Sequence, residues 1–300
     1  MQETVLITGG SGLVGSRLTQ LLLEKGYAVR HISRKRDLGA GVPRFRWNLD
    51  TMEWDIDAID GVSFIVHLAG SGVANGRWTA KRRKEIFESR VRGSQLVCEM
   101  AQAAQDSLKA VISSSAVGYY GTSTKEEIIF EDANPGEDFL ATVCVEWERA
   151  VLSCKSMTHI AVLRTGIVLS KNGGALPKMA FPIKLGIGSP LGHGRQSMPW
   201  IHMDDLCDMY IYALEEKLEG VFNAVAPDPV SNKAFTKCLA NTLKRKILLP
   251  HVPGFVLKLM FGKMAQVLLT GVNASSEKMA GAGFKWQFPE LESALENIYN

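Results

Sequence analysis

No apolar stretch of this 300-residue chain reaches the roughly twenty residues that a helix needs to cross a bilayer. The nearest, Phe255 to Leu269, is interrupted by Lys258, Gly262 and Lys263 and is amphipathic. It packs on its own domain, on a partner subunit to give a homodimer, or on a membrane surface. No charged-then-apolar leader precedes the first strand pattern at Thr4, so no secretory signal is expected. Cysteine is scarce: Cys98, Cys144, Cys154, Cys207 and Cys238 are odd in number and form no CxxC or other ligand spacing. A metal centre and a disulfide scaffold are both disfavoured, and a reducing, cytoplasmic location fits. Excess charge is lacking too. The formal net charge of +3 argues for no nucleic-acid partner. The one basic run, Lys81 to Lys84, shares a helical pattern with Ile86, Phe87 and Val91 and reads as a solvated face. Internal repeats and low-complexity segments are absent.

Glycine, by contrast, is concentrated where it has work to do. Thr4 to Thr8 is an aliphatic, β-branched run that breaks into Gly9-Gly10-Ser11-Gly12-Leu13-Val14-Gly15 and then into a helical pattern with Leu18, Leu21 and Leu22 on one face. The strand must turn at Gly9, let its backbone approach a pyrophosphate near Gly12, and pack the helix against the strand at Gly15. Phosphates then sit on the helix N-terminus, where unpaired N–H groups and the dipole favour anions. Gly26 ends the helix and Tyr27 to Ser33 reads as a second strand, completing a βαβ unit that binds a dinucleotide.

The end of that second strand discriminates between nicotinamide cofactors, because an acid there binds the ribose hydroxyl of NAD and repels the extra phosphate of NADP. Here the residues are Ser33, Arg34 and Lys35, with no acid before Asp37. A hydroxyl and cationic donors bind a phosphate well, so the cofactor is expected to be NADP(H). A solvated basic loop is the alternative.

Further strands are expected at Arg44–Trp47, Ser63–Gly70, Lys109–Ser115 and Ile160–Arg164, with helices over Ala80–Ala104 and Phe139–Cys154. Gly93 sits mid-helix where a side chain would crowd the sheet or the cofactor. The alternation predicts an α/β fold, a doubly wound parallel Rossmann sheet with ligands beyond the carboxyl ends of its strands. The ends at Ala69-Gly70 and Ser113–Ser115 should line one crevice. Residues 1–170 are expected to form the NADP-binding domain. From Lys171 to Arg195 the chain turns rich in glycine and proline and opens a substrate lobe, 171–300, with a small helical domain from about residue 249. Residues 200–226, a helix at Asp204–Leu214 and a strand at Gly220–Val225, are expected to return to the sheet.

Thr8 to Gly15, His67-Leu68-Ala69-Gly70, Ser113 to Val117 and Arg164-Thr165-Gly166 together resemble the extended and atypical short-chain dehydrogenase/reductases, the NAD-dependent epimerase/dehydratase superfamily. Arg77-Trp78-Thr79, Ser89-Arg90-Val91, Asp138-Phe139-Leu140, Trp147-Glu148 and Pro199 to His202 resemble its "epimerase family protein" group. So does the tail from about Pro250, which is similar to that group's C-terminal domain of unknown function. The resemblance spans the whole chain. It implies an oxidoreductase or epimerase fold, a cofactor held by Gly9 to Gly15, Ser33, Arg34, Lys35, Leu68, Ala69, Gly70, Arg90, Ser113, Ser114, Arg164 and Gly166, and a catalytic Ser115.

It also exposes a departure. The superfamily uses a Tyr-x-x-x-Lys pair, the lysine holding the ribose and lowering the tyrosine pKa, and no such pair occurs here. The two positions fall at Leu140 and Cys144, or at Phe139 and Val143. Proton work then passes to Ser115, to Tyr119 or Tyr120, whose phenols titrate near about ten, or to His202, whose imidazole titrates near neutrality. His193 is a lesser candidate. Lys178 and Arg195 are candidates for an anionic substrate or simply a solvated loop. Two readings follow: an NADP(H)-dependent oxidoreductase or nucleoside-diphosphate-sugar-epimerase-like enzyme on a small polar substrate held between the lobes, or a catalytically impaired, redox-responsive NADP-binding module.

Overall fold

The computed structural model describes residues 2–74, 76–122 and 127–300. The chain opens with β1 (Thr4–Thr8), α1 (Leu13–Glu24) and β2 (Ala28–Ser33), followed by β3 (Arg44–Asn48), β4 (Glu53–Trp54) and β5 (Val62–His67). Next come α2 (Ala80–Ala103), β6 (Ala110–Ala116), β7 (Ile128–Ile129), α3 (Phe139–Leu152), β8 (His159–Thr165) and β9 (Ile167–Leu169). Then follow α4 (Leu176–Lys184), β10 (Ser197–Met198), β11 (Trp200–His202), α5 (Met203–Glu215), β12 (Gly220–Ala224) and β13 (Val230–Ser231). The chain closes with α6 (Asn232–Thr242), α7 (Gly254–Phe261), α8 (Ala265–Leu269), β14 (Asn273–Ala274), α9 (Glu277–Gly281) and α10 (Leu291–Tyr299).

Among the described residues the main sheet has 8 strands in the order β12-β8-β6-β5-β1-β2-β3-β4. All its pairings are parallel except β3 with β4. This is the doubly wound sheet that the strand and helix alternation predicts. Strand order reverses between β1 and β5, and a crevice opens beyond the carboxyl ends of those two strands.

Alternation along β1 divides the core. Val5 and Ile7 face α1 and α5 with Leu18, Leu22 and Met209, while Leu6 faces α2 and α3 with Leu96, Met100 and Val151, all fully buried. Each such side chain contributes about 1.5–3 kcal/mol by leaving water, enough to fix which face each helix covers. A third cluster, Trp200, Phe235, Leu239, Leu291 and Leu295, holds α6 and α10 together over β11. Gly93 of α2 is required by the sheet side: a Cβ there would lie 3.2 Å from the His67 ring.

One expectation is corrected. Cys98 in α2 and Cys154 just after α3 form a disulfide with Cα atoms 5.5 Å apart, so the cysteines are not all free thiols. Their separation of 56 residues hides this pairing, because only the packing of α2 on α3 brings them together. The amphipathic run Phe255 to Leu269 is broken at Gly262 into α7, a 3-10 turn over Gly262–Met264 and α8, with Phe255, Leu259 and Met260 exposed. No helix among the described residues is long and apolar enough to cross a membrane.

Candidate functional site

The glycine loop between β1 and α1 is built by sterics. Gly9 has φ +74, and a Cβ on it would press on the Leu68–Ala69 backbone at 3.0 Å. A Cβ on Gly10 would enter the His31 ring and one on Gly15 would lie 2.3 Å from the Gly9 carbonyl, whereas Gly12 meets only that carbonyl, at 3.1 Å. Gly12 caps α1 with no side-chain bond, so the first-turn N–H groups contributed by Leu13, Val14 and Gly15 are left for an anion. Thr8 locks the facing loop: its Oγ1 accepts from the Leu68 and Ala69 N–H groups at 3.2 Å each and contacts His67 Nδ1 at 2.7 Å. Burial pushes the His67 imidazole down to about 3, so it is neutral.

At the end of β2, charge is sorted by partner. Arg36 is held by Asp55 and Asp57 at 2.7 and 2.5 Å. Arg34 and Lys35 are exposed and join no ion pair among the described residues. The Ser33 hydroxyl folds back onto the Lys35 carbonyl, which tightens the turn that presents both cations. The cradle with an open α1 N-terminus and two unpaired cations fits a dinucleotide carrying an extra phosphate.

Across the crevice, Ser115, the penultimate residue of β6, donates to Glu148 Oε1 at 2.6 Å. Glu148 projects from α3 and is clamped by Arg164 of β8 through Nε at 2.9 Å and Nη2 at 2.8 Å. Arg164 Nη1 donates further to the Tyr120 phenol and the Glu131 carbonyl, and its guanidinium stacks 3.4 Å from the Tyr119 ring centroid. Cys144 lies one turn before Glu148. Its thiol is pushed up to about 12 by burial and lies close to Ser115 and the Ala116 backbone. It is therefore Cys144, rather than Val143, that faces the serine where a lysine ammonium was expected.

Several candidates are committed elsewhere. Tyr120 donates to Asn223 Oδ1 at 2.6 Å and accepts from Arg164, so its phenol ties β12 to β8. Burial raises its pKa. His202 caps α5: Nδ1 accepts from the Asp204 N–H at 3.1 Å, and its ring packs on Phe288 with centroids 4.1 Å apart. Burial lowers its pKa, and it lines a cleft of about 640 Å³ that also takes in Ser11, Gly12 and Leu13 of the glycine loop, the Leu169–Gly173 segment and α10, and that does not include Ser115. Ser114 bonds the Tyr210 hydroxyl of α5 on the opposite face of the sheet, and the Ser113 hydroxyl turns to the Ser114 carbonyl. Arg164 directs four of its five N–H donors to protein acceptors, and Gly166 is small because a Cβ would strike the Pro199 carbonyl at 2.6 Å. Each of these six has a structural partner or packing reason within the fold. Lys178 donates to the Ala74 carbonyl at 3.3 Å, while His193 and Arg195 are exposed on a turn against the start of α6.

Sequence reasoning missed Glu148 as a site residue. The available signal was a single carboxylate on the otherwise apolar face Ala141, Val143, Cys144, Trp147 and Val151, which demands a buried cation. That Arg164 supplies it, and that Ser115 joins the pair, depends on strand order.

The family model described as NAD dependent epimerase/dehydratase family matches residues 5–224, and a domain of unknown function matches residues 252–298. The human epimerase family protein SDR39U1 is 34% identical over 300 residues, covering 98% of this chain and 99% of that one. A chloroplastic homolog from Arabidopsis thaliana is 35% identical over 306 residues, covering 99% and 87%. The crystal structure of human SDR39U1 (isoform 2) with NADPH superposes with a TM-score of 0.88 at 33% identity over 99% of both chains. A nucleoside-diphosphate sugar epimerase from Corynebacterium glutamicum gives 0.80 at 30% identity, covering all of this chain and 58% of that one.

Proposed function

The chain belongs to the NAD dependent epimerase/dehydratase family, and from that membership we propose that it is an NADP(H)-dependent oxidoreductase or epimerase-like enzyme acting on a small polar substrate held beside Ser115. The observation that carries the cofactor choice is that Arg34 and Lys35, at the end of β2, join no ion pair among the described residues, beside an Arg36 already neutralised by two carboxylates. The human relative crystallised with NADPH supports the same choice.

In this reading the Gly9–Gly15 loop and the first turn of α1 hold the pyrophosphate, and Arg34 and Lys35 hold the extra phosphate. When bound, the nicotinamide supplies hydride transfer. The protein's own contribution is at Ser115. Because its proton is directed at Glu148, its oxygen presents lone pairs, and it is set to accept a hydrogen bond from a substrate hydroxyl. Glu148 keeps that orientation fixed, being itself held by Arg164. Tyr119 is the remaining phenol on this side, with its ring under the Arg164 guanidinium.

Calorimetry tests the cofactor half: NADPH should bind at least tenfold tighter than NADH, about 1.4 kcal/mol, and Arg34→Ala should remove most of the difference. Equal affinities in the unaltered protein overturn it. The catalytic half is tested with carbonyls, sugars and nucleotide sugars as acceptors, where Ser115→Ala should slow turnover about 10²- to 10⁴-fold with NADPH affinity preserved. The binding-module reading is favoured by Tyr120 and His202 both being committed to structure and by Cys144 staying a neutral thiol. Cofactor binding with no turnover across the whole panel would decide for it.

A further inference from the structure

Residues 229–276 hold seven lysines and arginines and not one Asp or Glu, in a chain whose formal net charge is only +3. Residues 171–203 are also free of carboxylates and hold four more cations. None of these cations joins an ion pair among the described residues. The two segments meet: Leu191 bridges to Val252, the Val252 N–H donates to the Pro190 carbonyl at 2.9 Å, and Ser189 Oγ donates to the Leu249 carbonyl at 3.3 Å. On this basic lobe lies α7, apolar at every position after Gly254 except Lys258. Leu257 is its buried contact. At 3.6 residues per turn Phe255 and Leu259 fall together on the opposite side, 73% and 78% exposed. Leu248, shortly before the helix, is 77% exposed, and Leu249 and Met260 are exposed as well. Arg77 fixes α7 in this attitude by donating to the Leu259 carbonyl at 3.3 Å, and α8, packed on α7, is held by Gln266 donating to Thr122 Oγ1 at 2.8 Å.

An apolar ridge on a lobe of unpaired cations needs an occupant that is both apolar and anionic. The fold leaves Phe255 and Leu259 outside the core, so the chain's own domain does not cover them. A second copy docking by the same face would set lysines against lysines, with no carboxylate in either segment to answer them. Nucleic acid would satisfy the cations but leave the two large apolar side chains in water. A bilayer with anionic headgroups meets both demands. We propose that this face seats on an anionic phospholipid surface, with Phe255 and Leu259 entering the acyl boundary and Lys258, Lys263 and the run Lys244 to Lys246 meeting headgroup phosphates. At about 12 Å long, α7 lies in the plane of the interface and does not cross it. The proposal does not depend on the NADP(H) reading.

Flotation of the full chain with unilamellar vesicles tests it, comparing phosphatidylcholine alone with phosphatidylcholine containing phosphatidylserine. The anionic lipid should raise the partition coefficient about tenfold or more, and salt raised from about 0.1 M to about 1 M should reverse most of that gain, because the cations are exposed. Phe255→Ser with Leu259→Ser should weaken binding to the mixed vesicles about tenfold or more, and Lys258→Glu with Lys263→Glu should abolish the preference between the two compositions. Both double variants alter exposed side chains, so thermal unfolding and NADPH affinity should match the parent protein and exclude misfolding as the cause. Equal partition to both vesicles, or partition untouched by the two serines, overturns the proposal. So does partition to neither, which leaves the face to an acidic protein. A dimer in sedimentation equilibrium that the two serines make monomeric assigns the face to a second copy and overturns it as well.

Discussion

Glu148 and Arg164 bury a full charge each, and their stabilities are inseparable. Removing one partner leaves the other desolvated and unpaired, so Glu148→Gln should cost about 3–5 kcal/mol in a urea titration. The double variant Glu148→Leu with Arg164→Met should recover much of that loss, because no orphan charge remains. If it is no better than Glu148→Gln, the hydrogen bonds to Ser115, Tyr120 and Glu131 matter more than the charge pair. His202 is a milder case. Its Nδ1 caps α5, and His202→Ala should cost about 1 kcal/mol, as loss of an N-cap does, without altering NADPH affinity.

The loop between β1 and α1 separates two uses of glycine within one element. At position 15 the protein itself needs the space, and Gly15→Ala forces the backbone at Gly9 to move. That variant should lose both stability and cofactor binding. At position 12 only one carbonyl is near, so Gly12→Val should lower stability by about 1 kcal/mol, typical of a poorer N-cap, while abolishing NADPH binding. Unchanged affinity in a folded Gly12→Val protein would mean that the phosphates bind elsewhere. The same comparison applies to α3, where Leu140→Tyr with Cys144→Lys restores the pattern that the superfamily uses. Its ammonium would arrive in the neighbourhood of Arg90, so like-charge repulsion should lower stability in a urea titration unless Arg90 is also changed to Gln.

Across the whole molecule, pH acts through buried imidazoles. His31, His67 and His202 all have folded-state pKa values lowered by burial, with His67 near 3. Each stays neutral in the fold while the unfolded chain takes up a proton below about pH 6.5. Their stabilising contribution is therefore complete above that pH and is lost as pH falls, by up to about 1.4 kcal/mol per unit for each histidine until its folded pKa is reached. Asp205, raised by burial, works in the opposite sense at lower pH. Urea midpoints between about pH 6 and pH 4.5 should fall in the parent protein, and His67→Gln should flatten the slope by about one histidine's share. An unchanged slope would show that His67 is not held neutral.

Much of the architecture was readable because it is local. The run Thr4 to Gly15 specifies a strand, a turn that only glycine can make and a helix with one apolar face, and the absence of an acid before Asp37 specifies the chemistry at the end of β2. Those features depend on neighbours in sequence, where sterics and periodicity act without knowledge of the rest of the chain. Tertiary structure alone decided which polar groups meet. Glu148 and Arg164 are brought together with Ser115 by the adjacency of β6 and β8 and the packing of α3 on β6. Tyr120 was drawn to Asn223, His202 to the start of α5, Cys98 to Cys154 and Arg90 to the underside of Gly70. Each of these contacts joins residues from separate elements, and a buried polar group takes the partner that the strand order and helix packing place within reach.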